Sequence, residues 1–147
     1  VVVLQTFSKA WGLAGARLGM GYMHETLVQV LNKVKHPYNV NKLTMQAALQ
    51  RLAAADEVQA RIRQLINDRM VLAQTLAGFS FVEKVFPSDA NFLLVRFEND
   101  KAVQEHLYKH GIIVRNRSSL PGCERALRIS VGTPEENQKL VNALRAL

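Results

Sequence analysis

The sequence predicts an α/β chain, and three observations carry that prediction. Short runs of β-branched and aromatic residues alternate with stretches whose apolar residues recur at helical spacing. Glycine, proline and capping residues punctuate the junctions between them. The length, 147 residues with 48% hydrophobic and 21% charged side chains, suffices for one packed domain, or one domain and part of another.

Val1 to Leu4 read as a buried strand, a β-branched run that stops at a polar loop. Gln5 to Arg17 form that loop, with glycines at 12 and 15, and Leu18 to Met23 form a second strand. Glu25 to Val34 read as a short helix with Leu27, Val30, Leu31 and Val34 on one stripe. Pro37 excludes a helix interior over residues 36–41, and Thr44 to Ala54 is alanine-rich and helical. Asp56 is expected to cap a long helix running to about Gly78, with Val58, Ile62, Leu65, Ile66, Met70, Ala73 and Leu76 on its apolar face. Phe81 to Phe86 and Asn91 to Phe97 are strands. Asp100 to Lys109 is a helix ended by Gly111, and Ile112 to Arg115 is a strand. Leu127 to Val131 is the last strand. A capping box of Thr133 and Glu136, with Pro134 at the first helical position, starts a final helix that buries Leu140, Val141, Leu144 and Leu147. The best candidate domain boundary is the start of the long helix, dividing 1–55 from 56–147.

Composition excludes several classes. The even mixture of charge and apolar residues excludes a disordered chain. No run approaches the roughly 20 apolar residues of a membrane span, and the lone Cys123 excludes a disulfide scaffold. Lys+Arg 19 against Asp+Glu 12 gives a net charge of +7. The basic residues are scattered, without a zinc-finger, RNP or KH pattern, which argues for small anionic ligands over nucleic acid. His24, His36, His106 and His110 share no metal spacing, so no metal is expected. Asp100, Glu105 and Lys109 read as the solvated face of their helix. A buried strand at residue 1 needs neighbours on both sides, and neither an initiator Met nor a cleavable signal precedes it. The chain is therefore expected to be a piece of a longer protein.

The richest chemistry lies in Thr6-Phe7-Ser8-Lys9-Ala10-Trp11-Gly12-Leu13-Ala14-Gly15-Ala16-Arg17. Ligands of α/β sheets bind beyond the carboxyl ends of strands. Ser8 and Arg17 can hold a phosphate, through a hydroxyl and a planar fork. Partial burial of Lys9 beside the cation Arg17 would favour the neutral amine that attacks an aldehyde. Spacing alone favours the plainer reading, a solvated loop lysine. Arg128 alternates with Leu127 and Ile129 and so faces away from them: it lies either on a plain solvent face or in a ligand site. Arg115 is either a rim arginine or a ligand. Trp11 is expected to pack on the fold, and Cys123 has no neighbouring base and is assigned no role.

The segment Ser8-Lys9-Ala10-Trp11-Gly12-Leu13-Ala14-Gly15-x-Arg17-x-Gly19 resembles the cofactor-lysine segment of fold-type I pyridoxal-phosphate aminotransferases, in particular the histidinol-phosphate aminotransferase branch. Pro37-Tyr38-Asn39-Val40-Asn41, Ser88-Asp89-Ala90-Asn91-Phe92, and Leu127 to Thr133 resemble further motifs of that branch. The likeness runs the whole length of this chain but covers only the C-terminal two-fifths or so of the family's protein. It implies a remnant of the large-domain sheet followed by the small C-terminal α/β domain. It implies that Lys9 forms the Schiff base with pyridoxal 5'-phosphate and then shuttles a proton, and that Ser8 and Arg17 hold the cofactor phosphate. Arg128 is implied to take the amino-acid carboxylate of glutamate, and Arg115 the phosphate of histidinol phosphate. Two arginines thirteen residues apart converge if one ends a strand and the other lies in its neighbour.

By the same resemblance the activity is amino-group exchange between histidinol phosphate and 2-oxoglutarate in histidine biosynthesis, by a cytoplasmic homodimer without nucleic-acid or membrane partners. The family's aspartate at the pyridine nitrogen lies upstream of the lysine, so this chain alone is expected to be inactive. Two alternatives stand: a threonine-phosphate decarboxylase, which resembles the branch closely, and a non-catalytic C-terminal domain.

Overall fold

A computed structural model describes residues 1–147, which divide into two compact units, 1–62 and 63–147. In the first unit, β1 (Val3–Thr6) and β2 (Gly19–Tyr22) form an antiparallel hairpin in which Val3 pairs with Tyr22 and Thr6 with Gly19. All four residues of β1 are exposed, which corrects the expectation of a buried strand over Val1 to Leu4. Its only neighbour in the ladder is β2, and nothing covers its faces. Helix α1 (Glu25–Val34) has the bounds expected, and His24 caps it by accepting from the Thr26 amide. Its apolar stripe, Leu27, Val30, Leu31 and Val34, is exposed. Helix α2 (Lys42–Ala53) is capped by Asn41, whose Oδ1 accepts from the Thr44 amide at 2.9 Å.

Helix α3 (Ala55–Ala77) follows after a single residue, Ala54. Asp56 therefore lies inside its first turn and is not its cap, because the helical course is almost unbroken from α2. The buried residues of α3 are Val58, Leu72 and Leu76, whereas Ile66 and Met70 are exposed. Val58, Leu72 and Leu76 lie on one line of the helix, the last two being 14 and 18 residues beyond the first, and Ile66 and Met70 fall about 80–120° to its side.

In the second unit, β3 (Val82–Val85), β4 (Phe92–Phe97), β6 (Ala126–Ser130) and β5 (Arg115–Asn116) form a four-stranded antiparallel sheet in the order β3-β4-β6-β5. Side chains alternate across a strand, so Leu93, Val95 and Phe97 of β4 and Leu127 and Ile129 of β6 turn to one face. There they meet Val103 and Leu107 of α4 (Asp100–Lys109), Leu72 and Leu76 of α3, and Leu140, Val141 and Leu144 of α5 (Pro134–Arg145). Gly111 closes α4 at φ +70°, a left-handed backbone that suits glycine. Strand β5 comprises only Arg115 and Asn116, shorter and later than expected, and Ile112 to Val114 approach it without pairing. The expected capping box opens α5: Thr133 Oγ1 accepts from the Glu136 amide, and Glu136 Oε2 from the Thr133 amide. Ala143 is buried in this helix and Leu147 is exposed, the reverse of the reading for Leu147. Just past β6, Asn137 accepts from the Gly132 N–H at 2.9 Å and donates to the Gly132 carbonyl at 3.1 Å.

Candidate functional site

The loop between β1 and β2 carries the lysine segment. Past the Thr6–Gly19 pair, the Phe7 amide still bonds the Leu18 carbonyl at 3.1 Å. Regular pairing ends at Phe7 and Leu18; Ser8 and Arg17 are the next residues on the two arms and open the loop. The turn above them is closed by Gly12 N–H to the Lys9 carbonyl and Leu13 N–H to the Phe7 carbonyl, both 2.9 Å. Gly12 has φ +69°, which a side chain would strain. Ser8 Oγ and Thr6 Oγ1 lie 2.9 Å apart, and Thr6 Oγ1 accepts from the Ser8 amide. Arg17 adopts the left-handed conformation at φ +53° and donates from Nη1 to the Ala14 carbonyl.

Phe7 is buried beneath the turn and packs on Trp11, ring centroids 5.5 Å apart, so Trp11 packs on the fold as expected. Lys9 is exposed, as the reading from spacing alone has it, and lacks the partial burial that would favour a neutral amine. Phe7 fills the space under the loop and leaves position 9 to solvent. Two residues of α2 hold the loop from outside the motif: Arg51 Nε donates to the Trp11 carbonyl at 2.9 Å, and Thr44 Oγ1 to the Ala16 carbonyl at 3.2 Å. Sequence reasoning missed both, since contacts 40 and 28 residues away leave no local pattern. Thr6 was also missed, although a hydroxyl two residues before Ser8 is a recognisable turn signal.

The second cluster lies in residues 63–147. Arg115 and Arg128 are direct partners in the β5–β6 ladder, so their side chains leave the same face of the sheet. Arg128 is half-buried. Its guanidinium carbon lies 5.2 Å from the centre of the Phe92 ring, and its Nε is buried without a hydrogen-bond partner. Arg115 is exposed. Both border a cleft of about 360 Å³ shared with Gln104, Val114, Asn116 and Ser130. Like charges set directly opposite on a sheet repel. Two forks of guanidinium donors beside an unpaired buried N–H make a site for an anion.

Asp100 is not on a solvated face: it is the buried charged residue of the chain. Burial raises its pKa, but hydrogen bonds from Ser118, Asn116 and the amides of Asp100 and Lys101 outweigh that and bring it below the ordinary carboxylate value. Cys123 is partly buried in the loop before β6. His106 pairs with the Ala143 carbonyl at 2.8 Å. No helix is long and apolar enough to cross a membrane.

Comparison with known proteins adds three findings. The sequence profile of the family described as aminotransferase class I and II matches residues 1–144. A histidinol-phosphate aminotransferase of Parabacteroides distasonis is 46% identical over 99% of this chain, which spans 42% of that relative's length. Among solved structures, histidinol-phosphate aminotransferase from Sinorhizobium meliloti in complex with pyridoxal-5'-phosphate has 28% identity and a TM-score of 0.81, covering 99% of this chain and 41% of that one. L-threonine-O-3-phosphate decarboxylase from Porphyromonas gingivalis aligns with 25% identity and a TM-score of 0.82, covering 99% of this chain and 46% of that one.

Proposed function

Because the chain belongs to the class I and II aminotransferases, we propose that it is the lysine-bearing part of an enzyme that exchanges the amino group between histidinol phosphate and 2-oxoglutarate with pyridoxal 5'-phosphate. The observation that carries this reading is the register of two ladders. The first, the β1–β2 hairpin, carries Ser8, Lys9 and Arg17 on the loop at its end, and the second sets Arg115 opposite Arg128. In this reading 1–55 is a remnant of the large cofactor-binding domain, and 56–147 is the small domain entered by α3. The relatives matched are more than twice as long as this chain. The activity is therefore proposed for the whole enzyme, a cytoplasmic homodimer, and the 147 residues alone are proposed to be inactive.

The donor set fits the cofactor. A primary amine, two hydroxyls and a guanidinium lie on the same hairpin loop and its approach, and no acidic residue precedes Glu25 to oppose a phosphate. When bound, pyridoxal 5'-phosphate supplies an aldehyde that condenses with amines and a ring that accepts the electron pair released at the substrate α-carbon. Lys9 supplies the amine that anchors it and, once displaced by substrate, carries the proton to and from the α-carbon. Ser8 and Arg17 would hold its phosphate, through a hydroxyl and a guanidinium fork. Arg128 binds the carboxylate of glutamate through its fork, and Arg115 binds the phosphate of histidinol phosphate. Arg51 and Thr44 hold the loop that carries Lys9.

Lys9→Ala in the full-length enzyme is expected to lower turnover at least about a thousandfold, as loss of a covalent and proton-carrying group does. It should also abolish the borohydride-fixed cofactor adduct on this chain. Undiminished turnover sinks the proposal. Release of carbon dioxide from a phosphorylated amino acid by the unmodified enzyme would replace the transfer reaction with decarboxylation. The curated relatives at 42–46% identity carry the name histidinol-phosphate aminotransferase, which supports transfer, whereas the solved transferase and decarboxylase structures, at 28% and 25% identity, do not separate the two.

A further inference from the structure

We propose that Asp100, acting through Asn116 and Ser118, is the positioning residue that holds Arg115 opposite Arg128 and so sets the preference for a phosphorylated substrate. The inference rests on the assignment of Arg115 to the substrate phosphate. It begins from an imbalance in β5. That strand has two residues, and one of its two ladder pairs sets arginine against arginine. So short a strand at the edge of a sheet has little to hold its register, and the facing charges push it away.

What holds it comes from α4. Both Ser118 Oγ and Asn116 Nδ2 donate to Asp100 Oδ2 at 2.7 Å. Asn116 Nδ2 also donates to Gln104 Oε1 at 3.1 Å, and Asn116 Oδ1 accepts from the Ser118 amide at 2.8 Å. Two of the three residues following Arg115 are thus tied to Asp100, in the first turn of a helix whose start is fixed by Asn99, which accepts from the Ala102 amide. Asp100 is 6% exposed, so these bonds are sheltered from competing water. Charge-assisted hydrogen bonds to a buried carboxylate are among the stronger ones, and a carboxylate accepts them without a donor of its own to satisfy. Asp100 touches neither arginine among its hydrogen bonds. Its effect on the anion site runs through the backbone of residues 115–118. Gln104, on the same helix, also borders the cleft, so α4 supplies both the anchor and part of the wall.

The test compares kcat/KM for histidinol phosphate with that for unphosphorylated histidinol in the full-length enzyme. Arg115→Ala comes first: it must collapse the ratio, and if it does not, the phosphate assignment fails on its own account. Given that collapse, Asp100→Asn and Asn116→Ala are each expected to lower the ratio about tenfold. The change should appear in KM for the phosphorylated substrate, with kcat within about twofold, because a misplaced binding group costs binding before chemistry. Inorganic phosphate gives a readout without turnover. It should shift the Arg115 side-chain N–H resonance of the unmodified 147-residue chain, and shift it less in Asp100→Asn. A ratio that stays put in both variants while Arg115→Ala collapses it overturns the proposal. So does an equal loss of kcat on both substrates, the signature of mere unfolding.

Discussion

Residues 63–147 and residues 1–62 treat their apolar side chains in opposite ways. In 63–147, β4 and β6 turn Leu93, Val95, Phe97, Leu127 and Ile129 inward against three helices, and most of these are completely buried. In 1–62 only Phe7, Ala48 and Val58 are buried among the apolar residues, while the stripe of α1 and Val1 to Leu4 lie open. The two regions have similar helices and comparable patterning, so patterning does not separate them. The difference lies in whether a sheet face is there to receive the stripe. The lesson extends to the candidate sites: the arginine pair is built on packed strands, and the lysine loop is held mainly by hydrogen bonds and one aromatic contact.

Four substitutions probe that contrast. The largest effect is expected from Phe97→Ala, which removes a fully buried ring stacked 6.4 Å from Phe81. Urea unfolding of the 147-residue chain should report a loss of about 3–5 kcal/mol, and a loss below 1 would mean that the core of 63–147 is not the packed region described. Next, Thr133→Ala deletes the oxygen that accepts from the Glu136 amide. About 1 kcal/mol should be lost, with the helical signal of α5 fraying first in hydrogen exchange.

The third is a pH effect. The folded-state pKa of Asp100 is depressed below 3.8. The stability it contributes is therefore complete above its unfolded pKa and disappears as pH falls through the lower folded value. The stability gap between the unmodified chain and Asp100→Asn should be constant from neutral pH down to about 5 and narrow below that. A gap that widens in acid contradicts the sheltered carboxylate. The smallest effect is expected from Leu31→Ser on α1, where the side chain is 47% exposed. Unfolding of the 147-residue chain should move by no more than about 0.5 kcal/mol, and a loss comparable to that of Phe97→Ala would erase the distinction between the two regions.

Much of this was legible from the residues. The bounds of α1 and α4 follow from periodicity and from Gly111, and the capping box at Thr133 is a purely local pattern. The convergence of Arg115 and Arg128 could be read from their strand positions, because ladder geometry is regular. What could not be read depends on partners distant in the chain. Val1 to Leu4 looks buried by composition, yet burial requires a neighbour, and β1 has only β2. Asp56 has a capping residue's chemistry, but α3 begins before it. Asp100 sits among charged residues of one helix and looks solvated; only the fold brings Asn116 and Ser118 over it.

The amide of Asn137 meets both the N–H and the carbonyl of Gly132, as a facing peptide in another strand would. The sheet is thereby finished at that end by a side chain. At Gly132 both backbone groups are withheld from any foreign segment that would pair with them. Replacing this asparagine by aspartate, identical in shape but lacking the donor, would leave a carbonyl open to such recruitment.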